Sequence, residues 1–191
     1  MTFEQDKERT LKKMISNDQS NKGSVDKPIK KLLGVINKTK NFYTTSSCSG
    51  RIILIRIPKS GKKKEAEFLY RTHSKAKVGE VMVALNKKTT DSVWFRQEAA
   101  ILHVAARTLD IASKFLRIAR LIGFKRSGIF EVKRRVIMEL IATEKMEVIV
   151  AKNGKVLVDE DYVKVLVDEG NKKMESSWDK LNRLKEKMKE F

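Results

Sequence analysis

A single cysteine in 191 residues excludes an internal disulfide framework and a multi-thiolate zinc site. The two histidines, His73 and His103, stand far apart, with no neighbouring ligand spacing that would hold a metal, so none is expected. No window approaches about 18 uninterrupted apolar residues, which leaves no candidate membrane span. The opening Met1-Thr2-Phe3-Glu4-Gln5-Asp6 is polar and acidic and lacks the apolar run of a secretory signal. A soluble cytoplasmic protein is expected. No G-x-G-x-x-G joins a strand to a helix, and neither a P-loop nor H-E-x-x-H occurs. A doubly wound nucleotide-binding fold therefore has no support.

Positive charge is what the chain has in excess. Lys and Arg number 42 against 24 Asp and Glu, a formal net charge of +18. Residues 1–90 hold 21 basic and 8 acidic side chains, so +13 of that excess lies in the first half. Clusters recur at Lys62-Lys63-Lys64, Lys87-Lys88 and Lys133-Arg134-Arg135. Such an imbalance costs self-repulsion and attracts polyanions, so nucleic acid is the expected partner. A heat-adapted Lys/Glu-rich surface would explain the 35% charged residues, but not the imbalance of sign.

The apolar periodicity predicts an α+β protein with mixed-sheet strands and packed helices. Residues 3–16 space Phe3, Leu11, Met14 and Ile15 for a modest amphipathic helix, and a polar break follows from Asn17 to Gly23. Ser24 and Asp26 are N-cap candidates ahead of Pro28. Ile29, Leu32, Leu33 and Ile36 then form one face of a helix ending near Asn41. Strands are expected at 51–57 and 67–73, around a basic turn from Pro58 to Lys64. Residues 78–85 fit a helix or a strand. An extended stretch begins at Val93-Trp94-Phe95 and runs through Val104. A helix over 107–122 ends at Gly123. Strand-like runs follow at 128–132, 135–142 and 146–151, with Asn153-Gly154 as a tight hairpin turn. A long C-terminal helix from about Asp159 carries the stripe Val163, Val167, Gly170, Met174, Trp178, Leu181, Leu184 and Met188. One domain over 1–191 is expected, with 1–20 and the tip 175–191 as appendages. Helix 27–40 leads to Ser49-Gly50 and helix 107–122 to Ser127-Gly128, which suggests two pseudo-duplicated halves whose Ser-Gly elements share a cleft.

Thr44-Thr45-Ser46-Ser47-Cys48-Ser49-Gly50-Arg51 is the most unusual segment. It reads as a loop dense in hydrogen-bond donors and acceptors, closed by a planar five-donor cation and suited to a small anionic or zwitterionic ligand. A turn that merely satisfies itself is the bland alternative. Cys48 is either a nucleophile or a small thiol tolerated in a tight turn. Glu98, His103 and Arg107 punctuate an apolar strand running into a helix, where ionisable groups seldom occur unless paired or in a site.

These residues carry a family resemblance. Lys22-Gly23-Ser24-Val25-Asp26, Phe42 to Ile52, Thr72-His73, Leu102-His103-Val104 with Arg107, Gly123 to Gly128, and Gly154 to Val158 with Tyr162 resemble the family of tRNA wybutosine-synthesizing protein 3, in order over about residues 20–175. The resemblance implies an S-adenosylmethionine-dependent methyltransferase. It would act at N-4 of the tricyclic guanosine derivative beside the anticodon of phenylalanine tRNA, and it is not built on the doubly wound fold. Its partner would be the anticodon stem-loop, with no membrane and no metal.

On that footing the attacking ring nitrogen must lose a proton. His103 is the first candidate base and His73 the second, because imidazole titrates near neutrality. Ser47, Ser49, Arg51, Glu98 and Ser127 are the candidates to hold the methyl donor, Arg51 pairing with a carboxylate or a phosphate and Glu98 receiving the donor's ammonium. Tyr43, Lys87, Trp94 and Arg107 are the candidates to contact RNA, with Trp94, Phe95 and Tyr43 as possible stacking platforms worth about 1–3 kcal/mol per base. The rival class is a non-catalytic RNA-binding module, which has no need of a hydroxyl-dense segment. A thiol enzyme using Cys48 is a third.

Overall fold

The computed structural model describes residues 2–16 and 25–190, apart from the side chains of residues 14–16 and 190. The expected Ser24 cap and the break over 17–23 lie outside the described residues. In chain order the elements are α1 (Phe3–Ser16), α2 (Lys27–Lys38), β1 (Phe42–Cys48), β2 (Arg51–Ile57), β3 (Glu67–Thr72), α3 (Val78–Leu85), β4 (Ser92–Glu98), β5 (Ile101–Ala106), α4 (Leu109–Ile122), β6 (Gly128–Glu131), β7 (Val136–Ile141), β8 (Met146–Lys152), β9 (Lys155–Val156) and α5 (Glu160–Lys187). The class is α+β, as expected. Every pairing among the described strands is antiparallel, so the sheets are not mixed.

The chain divides into two compact units. The first comprises residues 1–49, 100–143 and 177–191, the second 50–99 and 144–176. Each has one sheet. Among the described residues no helix is long and apolar enough to cross a membrane.

The first unit is built on the sheet order β1-β5-β7-β6. Side chains alternate across a strand, so each strand serves two faces. On one face Leu102, Val104, Met138 and Leu140 are buried with the apolar stripes of α2 (Ile29, Leu32, Leu33, Ile36) and α4 (Ala112, Phe115, Leu116, Ala119). The Phe42 and Phe115 rings meet there at 4.9 Å. Helix α1 lies over the other face, where Phe3 stands edge-on to Tyr43 at 5.2 Å above Ala105 and Ile137. Both Ser-Gly elements adjoin this one sheet, at the outer strands β1 and β6. The register Cys48–Ile101–Ile141 brings Ser127 to the same end as Cys48. The sequence echo is thus a repeat within one sheet and does not divide the chain into halves.

Asp6 anchors α1. Its carboxylate accepts from the Tyr43 hydroxyl at 2.6 Å, from Arg9 at 2.9 Å and from Arg135 at 3.1 Å. The Tyr43 hydrogen bond above all, with the two guanidiniums, holds this carboxyl below its ordinary range against the opposing effect of burial. A depressed carboxyl adds stability that is complete above its unfolded value of about 3.9 and is lost as pH falls through the folded value. Acidification below about pH 4 should therefore release α1 from Tyr43. Hydrogen exchange of the α1 amides reads this out, and Asp6→Asn should show the faster exchange already at neutral pH.

The second unit has the sheet order β3-β2-β4-β8-β9. Ile52, Leu54, Phe95 and Gln97 point to one face and are fully buried, together with Val163, Val167 and Met174 of α5. Gly170 permits this close approach, since a Cβ there would lie 3.3 Å from Ile52 Cδ1 and 3.4 Å from Phe95 Cζ. On α3, Val81, Ala84 and Leu85 are buried, and Glu80 accepts from the Tyr70 hydroxyl at 3.0 Å. The hairpin between β8 and β9 turns on Asn153 (φ 52°) and Gly154 (φ 78°), left-handed at both positions as such a turn requires.

Two local expectations are corrected and one open alternative is decided. The hydroxyl run is strand β1 rather than a loop, and only Ser49-Gly50 interrupts the chain before β2. Residues 93–104 are two strands of different sheets, broken at Ala99-Ala100. The ambiguous segment 78–85 is helical.

Candidate functional site

Since Thr44 to Cys48 form a strand, their side chains alternate, and a register shift between Thr44 and Ser46 sets which of them face outward. Ser46 pairs with His103 on β5, and His103 with Glu139 on β7. The three side chains form a row across the sheet. Ser46 Oγ lies 2.6 Å from His103 Nδ1, and His103 Nε2 lies 2.9 Å from Glu139 Oε1. A carboxylate only accepts, so Nε2 carries a proton toward Glu139. In the neutral ring Nδ1 is then the lone pair that takes the Ser46 hydroxyl proton. Phe130 of β6, 60% exposed, leans on the imidazole at 5.3 Å.

The expected ligand-binding serines divide in two. Ser47 is half-buried, and its hydroxyl donates to the adjacent Ser46 carbonyl at 2.7 Å. Ser49 is fully buried, and its N–H and O–H both go to Asp26 Oδ2, at 2.9 and 3.0 Å. The Trp178 indole N–H donates to its carbonyl at 3.1 Å. Ser127 is likewise buried, its hydroxyl accepting from Ile141 N at 3.0 Å and its carbonyl from Arg120 at 2.7 Å. Ser49 and Ser127 are engaged with the protein's own groups and hold the end of the sheet together. Cys48, half-buried, closes β1 opposite Ile101 and does not stand in a tight turn.

Two expected RNA contacts in this unit have structural partners. Tyr43 is fully buried between Phe3 and Asp6, so its ring offers no open face to a base. Arg107 donates to the Lys40 carbonyl at 2.8 Å, pairs with Glu4 at 2.6 Å and covers the Phe3 ring.

In the second unit Arg51 and Glu98 are register partners on β2 and β4, and Arg51 Nε donates to Glu98 at 2.5 Å. Both remain about one-third exposed, at 29% and 35%. The terminal nitrogens of Arg51 have no hydrogen bond among the described residues, so its planar fork keeps donors for a ligand. A cation and an anion side by side match the carboxylate and ammonium of an amino acid. His73 Nδ1 donates to the Gly50 carbonyl at 3.1 Å, which directs Nε2 away from that bond. Trp94 is half-buried beneath the Arg96 guanidinium at 5.6 Å. Lys87 lines an open basic cavity of about 370 Å³ with Arg56, Lys88, Glu67, Leu69 and Thr89.

The structure thus assigns His103, Ser47, Ser49, Ser127, Tyr43 and Arg107 to the first unit. His73, Arg51, Glu98, Lys87 and Trp94 belong to the second. Sequence reasoning missed Ser46 and Glu139, which become neighbours of His103 only through strand register. It also treated Asp26 as a cap. Asp26 does occupy the N-cap position, but its side chain makes no capping bond and reaches Ser49 instead.

Comparison with known proteins adds a further finding. The family model described as Methyltransferase TYW3 matches residues 5–190. The tRNA(Phe) 7-((3-amino-3-carboxypropyl)-4-demethylwyosine(37)-N(4))-methyltransferase 1 of Pyrococcus horikoshii is 37% identical over 191 residues, with 98% of this chain and 97% of the relative covered. The tRNA(Phe) 7-((3-amino-3-carboxypropyl)-4-demethylwyosine(37)-N(4))-methyltransferase of Methanocaldococcus jannaschii is 35% identical, with 96% of this chain and 95% of the relative covered. A solved structure of a Pyrococcus horikoshii protein superposes with a TM-score of 0.90 at 36% identity, over 98% of this chain and 96% of that one.

Proposed function

Because the chain belongs to the Methyltransferase TYW3 family, we propose that it methylates N-4 of the 4-demethylwyosine-type base at position 37 of tRNA(Phe), with S-adenosylmethionine as donor. The near full-length family match carries this reading. The missing glycine fingerprint agrees with it, since the two antiparallel sheets are no doubly wound fold.

S-adenosylmethionine supplies an electrophilic sulfonium methyl. The pairing of Arg51 with Glu98 supports binding of the donor's amino-acid end, the free terminal nitrogens of the guanidinium taking the carboxylate and Glu98 the ammonium.

His103 is the base, acting through Ser46. Both ring nitrogens are occupied, so the proton leaving N-4 passes to Ser46 Oγ as the Ser46 hydroxyl proton passes to His103 Nδ1. Glu139 holds the opposite N–H and stabilises the imidazolium that forms. The hydrogen bonds of this row support a base.

The test is a mass measurement. Phenylalanine tRNA from cells lacking this protein, incubated with the pure protein and donor, should gain one methyl on the tricyclic nucleoside. Retention of the unmethylated mass would refute the activity.

A further inference from the structure

Strand alternation leaves the second unit's sheet with two unlike faces. Ile52, Leu54, Phe95 and Gln97 are buried with α5. Arg51, Ile53 and Ile55 point to the opposite face, and the register aligns Arg71 and Arg96 with Ile53, and Phe68 and Trp94 with Ile55. Phe68 is 43% exposed. The Arg51 and Arg71 guanidiniums stand at 5.3 and 5.4 Å from its ring centre, and Arg96 caps Trp94. The two rings flank Ile55 on either side, so they sit about two strand spacings, roughly 10 Å, apart.

Charge identifies the occupant. Arg51 and Arg96 have carboxylate partners in Glu98 and Glu147, whereas Arg71 has none among the described residues. A guanidinium without a carboxylate beside an exposed ring suits a nucleotide, which brings a π-face for the ring and a phosphate for the fork. The methyl donor fits poorly there, since its sulfonium and ammonium outweigh its one carboxylate and it carries no phosphate. A paired helix fits poorly too, because its bases are stacked away from a flat protein ring.

We infer that this face is the platform for unpaired anticodon-loop nucleotides, with Phe68 as the stacking ring and Arg71 as a phosphate ligand, Trp94 and Arg96 continuing it across β4. The inference rests on the tRNA reading above and adds the surface on which the RNA lies. It names Phe68 and Arg71, which contribute nothing to donor binding or proton transfer in that reading.

Phe68→Leu keeps the apolar bulk and removes the π-face; Arg71→Gln keeps the length and removes the charge. Their side chains are exposed, so both variants should fold as wild type, which thermal melts verify. Binding is measured with unmethylated tRNA(Phe), and with a blunt RNA duplex as the unstacked control. Phe68→Leu should weaken tRNA binding about five- to 150-fold and remove the preference for tRNA over duplex. Arg71→Gln should lower the slope of log affinity against log salt by about 0.7, the value of one single-strand phosphate. Donor affinity by calorimetry should stay at the wild-type value in Arg71→Gln, while Phe68→Leu, which removes the ring against Arg51, should lose more tRNA affinity than donor affinity. Unchanged tRNA affinity in both variants overturns the platform, as does loss of donor affinity alone. Wild-type protein that fails to bind the tRNA refutes the functional reading itself, a result seen before any variant is made.

Discussion

His103→Ala should reduce single-turnover methyl transfer by about 10²–10⁴-fold, the usual contribution of a positioned base, while donor and tRNA affinities change little. The imidazole is 28% exposed and Glu139 36%, so their loss opens no cavity and leaves no buried charge. A fall in rate would therefore report chemistry rather than unfolding. The row Ser46–His103–Glu139 makes the result more specific. Ser46→Ala removes the hydroxyl proposed to relay the proton but leaves His103 on Glu139, so it should lower the rate without altering the donor's binding enthalpy. Glu139→Gln keeps a hydrogen-bond acceptor for Nε2–H and loses the charge opposing the imidazolium. It should reduce the rate less than His103→Ala does. Added imidazole should restore part of the activity of His103→Ala and none of that of an Arg51 variant. Equal single-turnover rates for wild type and His103→Ala at saturation would remove His103 from the chemistry.

What the sequence reveals and conceals follows from the range of the forces involved. Asn153-Gly154 is legible because a left-handed pair is a local requirement that few residues meet. The helices α2 and α4 are legible for a similar reason, since apolar residues three and four apart define a face by themselves. Strand β1 is not, because Ser and Thr favour turns when judged alone. The long antiparallel pairing with Leu102, Val104 and Ala106 on β5 overrides that preference. Ala99-Ala100 hides the passage between two strands, having neither proline nor glycine to mark it.

The candidate site divides along the same line. His103 stands out as an ionisable group in an apolar stretch, and Arg51 as the cation that closes a run of hydroxyl residues. Ser46 and Glu139 do not, since Glu139 is 36 residues from His103 and meets it only through register. Asp26 was concealed by a local reading that was partly right. It does stand at a helix start, yet its carboxylate serves Ser49, 23 residues on. Ser49 and Ser127 show the converse error, in which a polar residue type suggested a ligand and burial assigned it to the scaffold.

Arg51→Ala should weaken donor binding by about 1.5–3 kcal/mol, roughly ten- to 150-fold, the typical value of hydrogen bonds made by a charged donor. Arg51→Lys should recover only part of the loss. A lysine restores the charge but not the fork, and it cannot hold Glu98 with one nitrogen while presenting two others to a carboxylate. Stability should barely move, because the pair with Glu98 is about one-third exposed and water screens the anion that remains. Glu98→Gln separates the two contributions. If the guanidinium binds the carboxylate directly, Arg51→Ala loses affinity in the Glu98→Gln background as well. If Arg51 serves only to orient Glu98, the second substitution adds nothing to the first. Calorimetric titration of the single and double variants with S-adenosylmethionine distinguishes the two, and wild-type affinity in Arg51→Ala would move the donor's amino-acid end away from β2.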